Sequence, residues 1–211
     1  MTLTNATKKV FSELEKRGIT LEKLNTLEMF ARDGTWQTTF YANKVKTLEV
    51  WEVDPIWEKD LEKNLPKAKI RILDSIKNIQ TNEKISKFDL IMIDNPMNNY
   101  GDKNKDLKNM YCEHFDVIKN IYKIINKESI IIFNVNRHPF DYEKFPIWKN
   151  RRDKFYRNKD TGDLTQDFLF NFYEKLFKKI NLRTLFRFSI DRELNNRKDT
   201  VYYFVYKLEK L

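Results

Sequence analysis

Apolar and polar residues change their spacing along the chain from the period of a strand to that of a helix and back. The sharpest changes lie within residues 27–55, LEMFARDGTWQTTFYANKVKTLEVWEVDP. TLEMFA predicts a strand, Gly34 breaks it, and Thr35 can cap a helix before TLEVWEVD predicts a second strand. The apolar positions of that helix are Trp36, Phe40, Tyr41 and Val45. The pattern predicts a βαβ unit of the nucleotide-binding type, with a glycine turn and an acid at neighbouring strand ends.

Blocks of strand and helix character alternate along the rest of the chain. Thr4 or Asn5 can cap an opening helix that Gly18 ends. Further strands are predicted at AKIRILDS, FDLIMIDNP, SIIIFNVN, TLFRFSI and TVYYFVYKL. Further helices are predicted between Pro55 and Pro66, around Ile79, from Leu107 to Ile125 and from Phe168 to Ile180.

The order of these elements predicts an α/β fold. It is a three-layer sandwich in which helices cover both faces of a seven-stranded, mostly parallel sheet. The last two strands follow one another without a crossover helix, so this C-terminal hairpin is expected to supply one antiparallel strand. We expect a single domain over residues 1–211, with an N-terminal helix inside residues 1–20. Residues 137–165 are too long and irregular for an ordinary connection and predict an inserted lid.

Charge and cysteine content narrow the function only slightly. The chain carries 40 Lys and Arg against 31 Asp and Glu, a net charge of +9, which fits an anionic partner such as nucleic acid without requiring one. Cys112 is the single cysteine, which excludes an intramolecular disulfide and a zinc knuckle. We therefore expect a reducing, cytoplasmic location and no bound metal. No stretch approaches the ~18–20 apolar residues of a membrane span, so no membrane partner is expected.

The strand–helix units, closed by a helix and an antiparallel hairpin, resemble the class I S-adenosylmethionine-dependent methyltransferases. The resemblance covers the chain from about Thr26 to Leu211 and implies S-adenosylmethionine as the cofactor. It assigns the methionine part of the cofactor to the turn after the first strand, namely Glu28, Phe30, Ala31, Arg32, Asp33, Gly34 and Trp36. It assigns the ribose hydroxyls to Glu52, with Val53 beside it, and the adenine amino group to Asp74 and Ser75.

The fourth predicted strand ends in Asp94, Asn95 and Pro96, which resemble the catalytic tetrapeptide (D/N/S)PP(Y/F) of the amino-methyltransferases. Tyr100 is near enough in sequence to replace the missing aromatic ring. In such a site the Asp94 carboxylate and a backbone carbonyl would hold the hydrogens of an exocyclic base nitrogen, and the ring would stack on the base. Asx residues also commonly end strands and begin turns, so a structural role for this tripeptide remains open.

Residues after the fifth strand are candidates for substrate binding. Asn136, Arg137 and His138 follow that strand directly, where the ligand crevice of such folds lies, although an ordinary polar loop is equally consistent. Within residues 137–165 basic residues alternate with aromatic ones, a mixture that suits a nucleic-acid strand. The basic side chains assigned to substrate there are Lys149, Arg151 and Arg152. The alternative is a charged lid whose aromatic rings pack on the core.

The preferred hypothesis is an S-adenosylmethionine-dependent methyltransferase that N-methylates a nucleic-acid base, with DNA or RNA as its partner. A small-molecule methyltransferase is the near alternative. A third hypothesis is a binding module that kept the fold and lost the chemistry, because this turn has only Gly34 where the resembled family has two or three glycines. Glu52 would also serve an NAD-binding domain, but the G-x-G-x-x-G motif of that class is absent. His114 lies on an apolar helical stripe and is expected to be a packed core histidine.

Overall fold

The structure, a computed structural model, describes residues 4–94, 114–137, 143, 146–157, 164–194 and 197–211, with the backbone alone at 4, 193, 194 and 197–200. The described helices are α1 (Thr4–Lys16), α2 (Thr38–Tyr41), α3 (Glu58–Asn64), α4 (Ser75–Thr81), α5 (Phe115–Lys119), α6 (Pro146–Tyr156) and α7 (Gln166–Lys179). The strands are β1 (Asn25–Met29), β2 (Thr47–Glu52), β3 (Lys69–Ile72), β4 (Phe88–Ile93), β5 (Ile125–Asn136), β6 (Leu182–Leu194) and β7 (Arg197–Lys210). Short 3-10 helices cover Leu21–Lys23, Pro55–Trp57 and Ile121–Lys123.

The strands form one seven-stranded sheet in the order β3-β2-β1-β4-β5-β7-β6. The first five strands run parallel to one another. The C-terminal hairpin folds back so that β7 lies between β5 and β6, antiparallel to both. The predicted α/β fold, with a mostly parallel sheet and one antiparallel strand, is confirmed.

Apolar side chains on the two faces of the sheet belong to two separate cores. Along β4, Ile91 and Ile93 point into one core while Leu90 and Met92 point into the other. This alternation explains why the central strands are continuous apolar runs, since a parallel strand covered on both faces has no solvent side. Helices α1 to α3 cover the face that contains Leu90, and α4 to α7 cover the face that contains Ile91.

Two predicted helices differ from the structure. The helix predicted from Thr35 begins only at Thr38, because the Thr35 amide and hydroxyl both donate to Asp33 Oδ1 in a local turn that competes with the helix. The helix predicted to reach Ile125 ends at Lys119, and Ile125 instead starts β5 and pairs with Phe88 of β4. The beginning of that predicted helix, residues 107–113, lies outside the described residues.

Residues 137–165 contain α6, and its aromatic side chains pack inward. Trp148, Phe155 and Tyr156 are buried, and the last two contact the ring of Phe115. His114 lies beside them as a fully buried core residue, as its position on an apolar stripe predicted. Burial, followed by the nearby Arg152 guanidinium, lowers the pKa of His114 to about 3, so its ring is neutral. The function of the segment as a lid stays a prediction.

Among the helices that the structure describes, none combines the length and the apolar surface that crossing a bilayer requires.

Candidate cofactor-binding site

The order of the strands reverses between β1 and β4. From β1 the chain builds outward to β2 and β3, and from β4 it builds in the opposite direction. In open α/β sheets ligands bind at such a switch point, outside the carboxyl ends of the strands. Met29 of β1 pairs with Ile93 of β4, so the turn after β1 and Asp94 after β4 leave the sheet side by side.

A small cavity of about 80 Å³ lies at this switch point. Its lining residues are Glu28, Phe30, Ala31, Arg32, Trp36, Gln37, Thr38 and Asp94. The sequence assigned the first five of these to the cofactor and Asp94 to catalysis, and the structure brings them together around one space. It missed Gln37 and Thr38, which looked like ordinary positions on a predicted helix.

The turn after β1 uses left-handed backbone conformations at residues that are not glycine. Phe30 has φ 62° and Arg32 has φ 54°, and Gly34 follows with φ 76°. A side chain in this region costs roughly 1–2 kcal/mol per residue. Several hydrogen bonds hold the turn. Among them, Phe30 N donates to Trp51 O, Gly34 N to Ala31 O, and Arg32 N to Glu52 Oε2 at 2.7 Å.

Glu52 organises the backbone around the turn. Its Oε2 accepts from Arg32 N, while its Oε1 accepts from Val53 N at 2.8 Å and from Asp54 N at 3.0 Å. The Glu52 carboxylate is buried. Because it accepts from these three N–H donors, it links the β1 turn to the end of β2. The resemblance assigned Glu52 to the ribose, and the structure adds this structural role.

Glu28 presents a buried carboxyl to the cavity. Its Oε2 has no hydrogen-bond partner among the described residues. Burial, and then the nearby Asp94 carboxylate, raise the pKa of Glu28 well above its usual range, so the protonated form is favoured. A cation placed in the cavity would reverse this balance, because it would stabilise the carboxylate.

The raised pKa of Glu28 predicts how stability depends on pH. Above about pH 4.5 an unfolded chain loses the Glu28 proton, while the folded protein keeps it until its own higher pKa is reached. The contribution of Glu28 to the free energy of unfolding should therefore fall with rising pH in that window, by at most about 1.4 kcal/mol per pH unit. A Glu28→Gln variant does not titrate there, so its stability relative to wild type should increase with pH.

Urea unfolding of both proteins between about pH 5 and pH 8 measures this difference. Glu58→Gln is the matched control, because Glu58 lies exposed at the start of α3. A stability difference for Glu28→Gln that does not change with pH would contradict the prediction.

Asp94 is held by side chains from three other parts of the chain. Gln37 Nε2 donates to Asp94 Oδ2 at 2.5 Å, and Asn134 Nδ2 of β5 donates to Oδ1 at 2.6 Å. The Tyr203 hydroxyl of β7 donates to Oδ1 over a longer 3.4 Å. Asp94 is buried and reaches the cavity wall. The other predicted catalytic residues, Asn95, Pro96 and Tyr100, lie outside the described residues.

Arg32 borders the cavity from the surface side. Its guanidinium lies 5.5 Å from the ring centroid of Trp36 and 4.9 Å from that of Trp57. Cation–π contacts of this kind hold an exposed arginine in place without neutralising its charge. The turn therefore offers a positioned positive charge at the border of the cavity that Glu28 also lines.

Asp74 and Ser75 lie at the carboxyl end of β3, farther from the switch point. Asp74 Oδ1 accepts from Lys77 N at 3.0 Å and so caps α4, while Ser75 is buried in the first turn of that helix. This capping explains the Asp-Ser sequence by itself. The contact with adenine that the resemblance implies stays a prediction.

The predicted substrate residues are divided between the surface and the interior. Arg152 is fully buried and donates to the carbonyls of Asn136 and Arg137, at 2.7 Å and 3.2 Å, so it fixes the end of β5. Lys149 pairs with Asp153 on α6. His138 lies outside the described residues.

Arg151 belongs to a surface groove between α5 and α6. The groove has a volume of about 340 Å³ and is lined by Phe115, Asp116, Lys119, Ile147, Asn150, Arg151, Lys154 and Phe155. Arg151 Nη1 lies 3.6 Å from Asp116 Oδ2, and Lys119 Nζ lies 3.9 Å from Oδ1 of the same carboxylate. The cations Lys119, Arg151 and Lys154 outnumber the single Asp116 carboxylate, so the groove is net positive.

Within the described residues, no group of three or more His, Cys, Asp or Glu side chains is arranged to hold a metal ion.

No protein-family model and no curated protein sequence matches the chain. Solved structures match it at the level of the fold. PH1948 from Pyrococcus horikoshii, described as a candidate RNA methyltransferase, is 15% identical with a TM-score of 0.58, over 98% of this chain and 84% of that one. The N-methyltransferase NodS from Bradyrhizobium japonicum, in complex with S-adenosyl-L-homocysteine, is 14% identical with a TM-score of 0.56, over 98% and 88%. M. jannaschii TYW2, in complex with AdoMet, is 12% identical with a TM-score of 0.54, over 95% and 76%.

The strand order and these neighbours show that the chain has the class I S-adenosylmethionine-dependent methyltransferase fold.

Proposed function

We propose that the protein binds S-adenosylmethionine at the switch point and transfers its methyl group to a nitrogen of a nucleic-acid base. The observation that carries this proposal is the cavity between β1 and β4. It is bounded by a left-handed turn on one side and by Asp94 on the other. Two of the matching structures, PH1948 and NodS, are described as a candidate RNA methyltransferase and as an N-methyltransferase. The structures of NodS and TYW2 hold S-adenosyl-L-homocysteine and AdoMet, respectively.

The cavity residues fit the amino-acid end of this cofactor, which carries an ammonium and a carboxylate. Glu28 supplies a buried carboxyl whose Oε2 is unpartnered among the described residues, and an ammonium beside it would form a charge-assisted hydrogen bond. Arg32 supplies a guanidinium for the carboxylate. At about 80 Å³ the cavity is well below the roughly 300 Å³ of a pocket for a whole ligand, so it suits only this end.

The nucleoside part would lie along the ends of β2 and β3. A carboxylate has about four acceptor positions, and Glu52 uses three of them for backbone N–H groups within the described chain. One position is then available to a ribose hydroxyl. Asp74 and Ser75 follow at the next strand end, where the resemblance assigns the adenine.

The chemistry requires little from the protein beyond orientation. The cofactor, when bound, would supply a methyl group on a sulfonium. The nitrogen lone pair would attack the methyl carbon in line with the carbon–sulfur bond, the neutral thioether would leave with the electrons of that bond, and the nitrogen would then lose a proton. Asp94 faces the cavity and can accept a hydrogen from an amino group, which turns the nitrogen lone pair toward the methyl group. The buried surroundings of Asp94 exclude water from this contact.

A nucleic-acid base as the acceptor is supported by charge. The chain has a net charge of +9, and Lys119, Arg151 and Lys154 line the groove beside α6. Arg152, the neighbour of Arg151 on α6, ties that helix to the carboxyl end of β5. Binding through phosphates would weaken steeply with added salt.

A small-molecule acceptor is the second candidate, and one observation favours it. Trp148, Phe155 and Tyr156 of α6 are buried, so these rings are engaged in the core rather than offered to bases. Tritiated methyl transfer to RNA, DNA and a metabolite extract separates the two candidates. Cofactor binding without transfer to any of them would favour the binding-module hypothesis.

Calorimetry with S-adenosylmethionine tests the cofactor proposal. Wild type is expected to bind, and Glu28→Gln is expected to bind about 10- to 100-fold more weakly, since a hydrogen bond to a charged group contributes roughly 1.5–3 kcal/mol. Glu58→Gln should bind like wild type, because Glu58 lies exposed on α3. No detectable binding to wild type at millimolar cofactor would contradict the proposal.

A further inference from the structure

A relay of buried hydrogen bonds connects α1 to the cavity. The Thr7 hydroxyl of α1 donates to Gln37 Oε1 at 2.9 Å, and Gln37 Nε2 donates to Asp94 Oδ2 at 2.5 Å. Thr7 and Gln37 are almost fully buried. Residues from the first helix, the approach to α2 and the end of β4 therefore form one polar unit inside an otherwise apolar region.

The two ends of the Gln37 amide have different partners. Its oxygen accepts from the hydroxyls of Thr7 and Tyr203, at 2.9 Å and 3.3 Å, while its nitrogen faces the Asp94 carboxylate. An ionised carboxylate only accepts hydrogen bonds, so the opposite orientation would place two acceptor oxygens against each other. Burial first, and then Asp94, raise the pKa of Tyr203 well above its usual range, which keeps its hydroxyl protonated.

Thr7 is the stronger of the two donors that fix this orientation. Its hydrogen bond to Oε1 is shorter than that of Tyr203, whose hydroxyl also lies 3.4 Å from Asp94 Oδ1. Without the Thr7 hydroxyl, a buried amide oxygen keeps only the longer, shared contact. A buried acceptor without a full hydrogen bond loses free energy, so the Gln37 side chain would sample other positions.

We propose that Gln37 is a positioning residue for Asp94 and that Thr7 sets the orientation of its amide, which makes α1 part of the working site. The importance of this for methyl transfer rests on the proposed function. The relay itself can be tested without cofactor, so the two ideas can fail separately.

Hydrogen exchange of the Gln37 side-chain amide, measured by NMR, tests the relay. The chain has three glutamines, Gln37, Gln80 and Gln166, so ¹⁵N-glutamine labelling gives a simple spectrum that Gln37→Leu assigns. Thr7→Val, which keeps the shape and removes the hydroxyl, should speed exchange at Gln37 about tenfold or more. Thr7→Ser should restore slow exchange.

Thr47→Val is the matched control. Thr47 is an exposed threonine that also donates a side-chain hydrogen bond, to Asn25 Oδ1 at 3.0 Å, at the opposite edge of the sheet. It should leave the Gln37 amide unchanged. If Thr7→Val does not fold, Tyr203→Phe removes the other donor to Oε1 and should also speed exchange. Unchanged exchange at Gln37 in the folded Thr7 or Tyr203 variant would overturn the proposal.

Methyl transfer gives the second readout. Thr7→Val should lower the turnover rate about three- to tenfold, as expected for loss of one neutral hydrogen bond, with cofactor affinity nearly unchanged. A merely structural Thr7 would lower the unfolding temperature and leave the turnover rate of the folded enzyme intact, which would overturn the positioning role. If wild type binds no S-adenosylmethionine, the proposed function fails, and amide exchange still decides whether the relay holds Asp94.

Discussion

A Glu52→Ala variant is expected to lose about 3 kcal/mol of stability and its cofactor affinity together. The substitution leaves the N–H groups of Arg32, Val53 and Asp54 without their common acceptor. A fully buried donor left unpaired costs roughly 1–3 kcal/mol, and the Arg32 and Val53 donors should cost less because they are only partly buried. The left-handed Arg32 also loses the bond that holds it, so the cavity wall should no longer keep its shape.

Asp74→Ala is the matched control for Glu52→Ala. Asp74 is also a carboxylate at a strand end on the same edge of the sheet, but it is exposed and accepts from a single N–H, that of Lys77. Loss of such a helix cap costs about 1 kcal/mol. Urea unfolding measures both variants, and equal losses would show that Glu52 does not organise the turn.

The second large effect is expected at Gly34. An alanine Cβ there would lie 2.8 Å from Leu65 Cδ1 and 3.1 Å from its Cγ, in addition to the strain of a side chain at φ 76°. Gly18 has nearly the same φ, 78°, but a Cβ there meets nothing within 4 Å. Gly18→Ala should therefore cost only the backbone strain, roughly 1–2 kcal/mol. Gly34→Ala should cost up to about 1–3 kcal/mol more, because the packed Leu65 side chain must shift to make room.

Unfolding of the two glycine variants in urea separates packing from backbone strain. A double-mutant cycle with Leu65→Ala adds a direct test of the contact, since neighbouring residues show non-additive effects. Gly34→Ala should cost less in the Leu65→Ala background than in wild type. Similar losses at Gly18 and Gly34, with additive behaviour in the cycle, would contradict the packing explanation.

The overall fold could be predicted because its signals are local. Continuous apolar runs marked the central strands, and the absence of a helix between the last two strands marked the antiparallel hairpin. The acids at strand ends were also visible, since parallel strands bring their carboxyl ends to one edge. The pattern therefore groups Glu52 and Asp94 at one edge of the sheet, and the family resemblance adds Glu28 to them.

The shape of the turn could not be predicted from its own residues. Residues other than glycine rarely adopt a positive φ, yet Phe30 and Arg32 do so here. The reason lies at Glu52, on the neighbouring strand, whose carboxylate accepts from Arg32 N. The single glycine that remains, Gly34, is required as much for close packing against Leu65 as for its own φ.

The hydrogen-bond relay that leads from α1 to Asp94 was missed for a similar reason. Thr7, Gln37 and Tyr203 are distant in sequence, and each occupies a position that is unremarkable in its own element. Gln37 in particular belonged to the predicted helix, whereas the helix in the structure begins at the next residue, Thr38. Only the packing of α1 and β7 against the sheet brings these side chains together.

The position of β7 affects how the protein must assemble during synthesis. Although β7 follows β6 in the sequence, it lies inside the described sheet, between β5 and β6. Tyr203 reaches Gln37 and Asp94 from this strand. A nascent chain can therefore form β1 to β5 early, but the region around Asp94 is completed only after β7 has left the ribosome. Until then the open side of β5 is an unpaired strand edge exposed to wrong partners.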